Sequence, residues 1–215
     1  MNNENAVGRG SMITELFAVP VYMQGGLNID GVSGYLQTLK ERRVGSDNGF
    51  CTIDQQILNH EQLHPLRYQI LQHIKAYILE LKVPETNEFY INCSWGMRHE
   101  KGDWAHPHKH HNSLISGIVY IDCDEKSGSL NFHKDWKTLF PPEISPLFTE
   151  TNSYNTTGAS IIPEKGQIIL FPAHLDHSVS ECESDDTRRC IAFNSFIRGV
   201  INDNRDNKMS FLEIK

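Results

Sequence analysis

The apolar pattern of the chain changes at Glu88, and this change limits the folds that the sequence can adopt. Before it, residues 30–43 and 64–83 carry apolar side chains at the three- and four-residue spacing of amphipathic helices. After it, apolar residues alternate or run for five to nine positions between Gly, Asp, Lys and Pro, which is typical of short strands. Helices followed by strands predict an α+β fold, with the helices packed on one side of a β-sandwich or barrel.

One segment near the start of the chain and five after Glu88 are predicted as strands. The first, residues 13–24, contains Pro20, which suits an edge strand because proline cannot donate a ladder hydrogen bond. The later strands are predicted at residues 88–99, 113–122, 128–133, 166–173 and 188–199. Residues 134–160 are predicted to form a long loop, and loops of that length commonly cover a functional site.

The length of 215 residues suits one domain. Residues 1–11 are expected to be a disordered extension or a vector remnant, and residues 12–215 a single domain. Within that domain we expect helical support from residues 28–84 and a β-barrel core from residues 88–200.

Charge and composition exclude several classes of function. A net charge of −7 argues against a general nucleic-acid binder, because such proteins present a basic surface. No apolar run approaches the ~18 residues that a membrane span requires, and no leader sequence is evident, so we expect a cytoplasmic protein without a membrane partner. Five scattered cysteines without CxxC spacing argue against a disulfide framework or a structural zinc site.

Four histidines lie in the six positions from His106 to His111, immediately before an apolar strand. Alternate side chains of an extended segment point the same way, so His108 and His110 can bind a single ion. His174 and His177 follow a later buried strand, and this segment offers a third ligand. Three ligands on one side of a metal, with open positions on the other, form a facial site. We therefore predict a metal site here, against the alternative of a histidine-rich surface turn.

The remaining histidines near these segments are given no ligand role. His174, three residues before His177, is expected to be structural. His99, His106 and His111 are expected at the rim of the site, where they bind substrate or nothing.

The strand that begins at Arg188 has two different faces. Arg188, Cys190, Ala192 and Asn194 alternate on one face, and the other face is mostly apolar. An arginine that points into a barrel requires an anion, and its guanidinium group can bind a carboxylate through two hydrogen bonds. Arg189 would take this position if the register slipped by one residue.

These segments resemble the Fe(II)/2-oxoglutarate-dependent oxygenase superfamily, in particular its small bacterial and phage branch. The resemblance is carried by ITELFAVPVY (13–22), SWGMRHEKGD (94–103), HKHHNSLISGIVYI (108–121), LFPAHLDHSV (170–179) and RRCIAFN (188–194). It implies a double-stranded β-helix (a cupin-like jelly roll) with the N-terminal helices packed on one sheet. It also implies ferrous iron as cofactor and 2-oxoglutarate as co-substrate.

The resemblance assigns roles to individual residues. His108 matches the first histidine of the metal motif and His177 the distal one, while His110 occupies the middle position, where most members have aspartate or glutamate. Arg188 matches the arginine that binds the far carboxylate of 2-oxoglutarate, with Arg189 as the alternative. Asn194 and Ser116 complete the predicted cofactor-binding set.

The predicted function is therefore an iron- and 2-oxoglutarate-dependent dioxygenase. Its partners would be dioxygen and an unidentified substrate, which it would hydroxylate while 2-oxoglutarate is converted to succinate and carbon dioxide. A homodimeric assembly is compatible with the sequence. Two alternatives are a cupin-type three-histidine metalloenzyme that does not use 2-oxoglutarate, and a jelly-roll binding module without catalytic activity.

Overall fold

Two antiparallel β-sheets enclose the predicted site. The computed structural model describes residues 18–84, 87–134, 149–201 and 212–214. The larger sheet has the strand order β1 (Tyr22–Gln24), β9 (Ile168–Pro172), β6 (Ile115–Asp122), β11 (Arg188–Ile201), β4 (Glu88–His99), β3 (Phe50–Thr52) and β2 (Glu41–Arg43), and β12 (Leu212–Ile214) also pairs with β11. The smaller sheet has the order β5 (Ala105–His108), β10 (His177–Val179), β7 (Leu130–His133) and β8 (Gly158–Ile161).

The larger sheet is buried on both faces, which explains why its strands are so apolar. On one face, side chains such as Ile191 and Phe193 pack against the helices. On the other face, Ile118 and Cys190 contact residues of the smaller sheet such as Phe132. The predicted α+β arrangement, with helices on one side of paired sheets, is confirmed.

The helix predicted at residues 64–83 is present as α2 (His64–Glu80). Pro65 lies in its first turn, where a missing backbone N–H costs nothing because that group has no partner inside the helix. Five residues, Leu66, Ile70, Ile74, Ile78 and Leu81, are predicted to form one apolar stripe. The first four are buried in the core, whereas Leu81 follows the end of α2 and is 41% exposed. None of the helices in the described residues is long and apolar enough to cross a membrane.

The helix predicted over residues 30–43 is wrong beyond its first half. The helix α1 spans only Val32–Leu36, and the chain then enters β2, which forms a hairpin with β3 at the edge of the larger sheet. Partners from β4 hold this hairpin: Arg98 donates a hydrogen bond of 2.7 Å to Glu41, and its guanidinium group lies 3.8 Å from the ring centre of Phe50. Tertiary contacts thus override the local helical spacing.

Of the predicted first strand, residues 13–24, only Tyr22–Gln24 form β1, which lies at the edge of the larger sheet just after Pro20. Residues 13–17 and the predicted extension at residues 1–11 lie outside the described residues, as do residues 135–148 of the predicted loop. The end of that loop was mispredicted, because the chain from Gly158 forms β8 and pairs with β7.

Replacing Gly117 by alanine should destabilise the protein by about 1–3 kcal/mol, the usual result of overpacking a core. A Cβ atom at this position would lie 2.2 Å from the Phe193 ring and 2.7 Å from a methyl group of Leu170. Urea denaturation measures the change. Gly34→Ala is the matched control, because a Cβ there meets nothing within 4 Å and helix α1 gains about 0.5–1 kcal/mol from alanine. Equal effects of the two substitutions would contradict the packing described here.

Candidate active site

Three histidines from different parts of the chain meet between the two sheets. His108 ends β5 and His177 begins β10, and the two residues are directly opposite each other in the antiparallel register. His110 lies two residues beyond β5, held by a 2.9 Å hydrogen bond from its backbone N–H to the carbonyl of Ala173. Potential ligand atoms of all three imidazoles lie within 4.8 Å of one another. The structure thus brings together the three residues predicted as ligands.

Backbone carbonyl groups orient two of these rings. Nδ1 of His108 lies 2.7 Å from the carbonyl oxygen of His106, and Nδ1 of His177 lies 2.9 Å from that of Leu175. A carbonyl oxygen can only accept, so each Nδ1 carries the proton. In the neutral form of such a ring Nε2 has the free lone pair, and this is the form of imidazole that binds a metal ion.

A side chain orients the third ring in the same way. Nδ1 of His110 lies 2.6 Å from the amide oxygen of Asn194, which also accepts a 2.8 Å hydrogen bond from the hydroxyl of Ser116. In the neutral ring, Nε2 of His110 is therefore the nitrogen with the free lone pair. Asn194 and Ser116, predicted to bind the cofactor, are bonded in the structure to this histidine and to each other, and their contact with a cofactor stays a prediction.

Burial keeps two of the imidazoles neutral. It lowers the pKa of His177 to about 4 and lowers the pKa of His110 below its usual value, although the hydrogen bond from His110 to Asn194 acts in the opposite direction. The nearby His108 lowers both values further. Neutral rings can coordinate a cation without first losing a proton.

Arg188 lies in the same cavity as the three histidines and is almost completely buried, with 2% of its surface exposed. One of its terminal nitrogens donates to the backbone carbonyls of Ser127 and Gly128, at 3.2 and 3.5 Å. Among the described residues, no carboxylate forms an ion pair with it. Arg189 faces the other way and lies 3.7 Å from Asp122, so the strand register agrees with the predicted one.

The cavity that joins these groups has a volume of about 250 Å³. Most of its wall is apolar and includes Trp95, Ile118, Phe171 and Val179. It extends from the exposed His108, past the buried His177, to Arg188. A small ligand could contact the histidines and the guanidinium group at the same time.

The other histidines differ in their relation to the cavity. His174 and His111 are exposed and outside the triad, and His106 is exposed with its ring 4.1 Å from that of Trp104. His99, which was predicted at the rim, is instead buried in the cavity wall with 1% of its surface exposed. Burial, with the charge of Arg188 as a smaller cause, lowers the pKa of His99 to about 3. Side chains alternate along β4, so His99 lies on the same face as Trp95. This alternation could have shown that His99 faces the cavity.

Comparison with known proteins agrees with this geometry. A family described as "Putative 2OG-Fe(II) oxygenase" matches residues 93–194. No curated protein matches the chain.

Solved structures share the fold at low sequence identity. An oxidoreductase of the 2OG-Fe(II) oxygenase family from Burkholderia pseudomallei is 12% identical, with a TM-score of 0.58 over 81% of this chain and 83% of that one. HygX from Streptomyces hygroscopicus, solved with nickel, 2-oxoglutarate and hygromycin B, is 14% identical, with a TM-score of 0.58 over 82% of each chain. A prolyl-4-hydroxylase from Pseudomonas putida is 10% identical, with a TM-score of 0.57 over 82% of this chain and 92% of that one. These likenesses confirm the predicted jelly-roll fold.

The metal-free protein should lose stability as the pH falls from about 6.5 to about 4. The unfolded chain takes up a proton at residue 177 near pH 6.5, whereas the folded protein takes it up only near pH 4, so acid favours unfolding in this window. The expected loss is on the order of a few kcal/mol, and His99 acts in the same direction. Urea denaturation with a chelator present measures it. His177→Phe should flatten the pH dependence, and an unchanged slope in that variant would contradict the assignment.

Proposed function

We propose that the protein is an iron(II)- and 2-oxoglutarate-dependent dioxygenase, since residues 93–194 match the model of a family described as "Putative 2OG-Fe(II) oxygenase". The proposed reaction is hydroxylation of a substrate not yet identified, coupled to conversion of 2-oxoglutarate to succinate and carbon dioxide. One observation carries the proposal: three histidines, each with its Nδ1 held by a hydrogen bond, share a cavity with a buried arginine that has no acidic partner among the described residues.

The donor set fits iron(II). Imidazole nitrogen is a suitable ligand for divalent iron, and His108, His110 and His177 supply three such nitrogens on one side of the cavity. Each Nδ1 donates a hydrogen bond that holds its ring in place. The same bond makes Nε2 a stronger electron-pair donor to a metal ion. We propose these three residues as the iron ligands.

The positive charge of Arg188 in the cavity wall suits a co-substrate with two carboxylate groups. A buried guanidinium group without an anion is strongly disfavoured, and the described partners of Arg188 are two backbone carbonyl oxygens, the thiol of Cys190 and the ring of Tyr120, none of them an anion. A carboxylate in front of it would restore the charge balance through two parallel hydrogen bonds. We propose that the far carboxylate of 2-oxoglutarate binds there, with the 2-oxo acid end directed toward the histidines.

Iron and 2-oxoglutarate, when bound, supply the oxidising power for the reaction with dioxygen. The chain contributes binding, orientation and exclusion of water. Trp95, Phe171 and Val179 form apolar walls beside the histidines, which limit the access of water to the reacting groups. Arg188 and the histidines define the two ends between which the co-substrate is oriented.

The set of three histidine ligands supports a second candidate function. Three histidines without a carboxylate are typical of cupin-type iron enzymes that act without 2-oxoglutarate, such as thiol dioxygenases. The buried Arg188 favours the 2-oxoglutarate-dependent reaction, although an arginine can also hold the carboxylate of another substrate.

Succinate formation distinguishes the two candidates. The full chain is incubated with iron(II), 2-oxoglutarate, ascorbate and dioxygen, and succinate is measured over time. We expect slow, iron-dependent succinate formation even without the substrate. If 2-oxoglutarate neither binds to the metal-loaded protein nor yields succinate, the proposed function is wrong.

His108→Ala and His177→Ala should each weaken iron(II) binding by more than about 100-fold, because an open site with three protein ligands tolerates no loss of a ligand. Binding is measured by calorimetry under anaerobic conditions, and circular dichroism checks the fold. His174→Ala is the control, since this exposed histidine lies outside the triad. Near-normal affinity in either ligand variant would refute the assignment.

Arg188→Ala should weaken 2-oxoglutarate binding to the metal-loaded protein by about 30-fold or more, because it removes the buried partner of a carboxylate. Metal affinity should change little, since the guanidinium group is not a ligand. Arg189→Ala is the matched control, because Arg189 faces Asp122 on the opposite side of the sheet. A larger effect at Arg189 than at Arg188 would overturn the assignment.

A further inference from the structure

His99 occupies the position directly opposite Arg188. The two residues are paired in the antiparallel register of β4 and β11, so their side chains project from the same face of the sheet. Both side chains are almost completely buried, and both line the cavity that contains the three histidines. A group bound at the guanidinium end of the cavity would therefore lie beside the imidazole of His99.

Neither ring nitrogen of His99 has a hydrogen-bond partner among the described residues. A buried polar group without a partner is costly and rare in folded proteins. The ring is also fixed in position by the hairpin between β2 and β3: a Cβ atom at Gly49 would lie 2.3 Å from Cδ2 of the ring. The imidazole is thus fixed against the cavity with its hydrogen-bonding capacity unused.

The charges around this ring favour an anion over a cation. Arg188 and Arg43 both interact unfavourably with a proton on His99, and only Asp103 acts in the opposite direction. Asp103 is itself engaged by Arg43 through an ion pair of 2.6 Å. A neutral imidazole still has one N–H group to donate, and the acceptor best suited to this positive surrounding is a carboxylate.

We infer that His99 is a second binding residue for the far carboxylate of 2-oxoglutarate, donating an N–H hydrogen bond beside the guanidinium group of Arg188. This inference rests on the proposed function. The pair would then select between ligands: a 2-oxo acid with a second carboxylate satisfies both side chains, whereas one without it leaves the guanidinium group of Arg188 without an anion and the N–H of His99 without an acceptor.

The test compares two ligands on the same protein. The full chain, loaded with manganese(II) and kept free of dioxygen, is titrated by calorimetry with 2-oxoglutarate and with 2-oxobutyrate, which lacks the far carboxylate. In His99→Phe, 2-oxoglutarate should bind about ten- to hundredfold more weakly than in the wild type, while 2-oxobutyrate binding should be unchanged. His99→Gln, which retains an N–H donor, should recover part of the affinity.

Stability separates a binding role from a structural one. Because His99→Phe removes an unpaired polar group and keeps a similar volume, its melting temperature should equal or exceed that of the wild type. His174→Phe is the matched control at an exposed position and should leave both affinities unchanged. If His99→Phe does not fold, His99→Leu takes its place in the same titrations.

The outcomes are distinguishable. A wild-type protein that does not bind 2-oxoglutarate would refute the proposed function itself. If the wild type binds it and Arg188→Ala weakens it, but the apolar variant of His99 binds it normally, the inference about His99 is wrong and the proposed function stands. An equal loss of both ligands would also overturn the inference, because it would reflect a general disturbance of the cavity.

Discussion

The central strand β11 is the element on which the rest of the structure depends. It pairs with β4 along most of its length and with β6 on its other edge, so it is fixed in register from both sides. Because side chains alternate along a strand, this register directs Ile191 and Phe193 toward the helices. It also directs Arg188 into the wall of the cavity and Asn194 toward His110, which Asn194 orients through a hydrogen bond. A slip of one residue would exchange the core-forming face for the site-forming face.

Much of the fold could be predicted because its signals are local. Helix α2 has a continuous apolar stripe, and β6, β9 and β11 have apolar runs that only a buried strand explains. The error at residues 30–43 has a clear cause. The strand β2 is three residues long, and it is held by β3 and by Arg98, which is more than fifty positions away in the chain. A spacing rule applied to neighbouring residues contains no information about such a partner.

The candidate site also contains parts that the sequence predicts and parts that depend on residues far apart in the chain. Short spacing and strand alternation were enough to group His108 with His110 and to turn Arg188 inward, whereas the choice of His177 over His174 came from the family resemblance; the roles of these residues stay predictions. The burial of His99 was missed because it depends on a hairpin that was itself mispredicted, whose Gly49 lies against the ring. The bond between Asn194 and His110 was missed because it joins side chains eighty-four positions apart.

The three hydrogen bonds that orient the histidines differ in one respect that matters for evolution. His108 and His177 rely on carbonyl oxygens of the main chain two residues earlier, which no substitution of those acceptor residues removes. His110 relies on the side chain of Asn194, which a single codon change can replace. An aspartate there would draw the ring proton more strongly and make the imidazole a more electron-rich donor. Position 194 is thus the place where a single substitution would change the donor strength of one imidazole of the triad while the main-chain contacts of the other two stay constant.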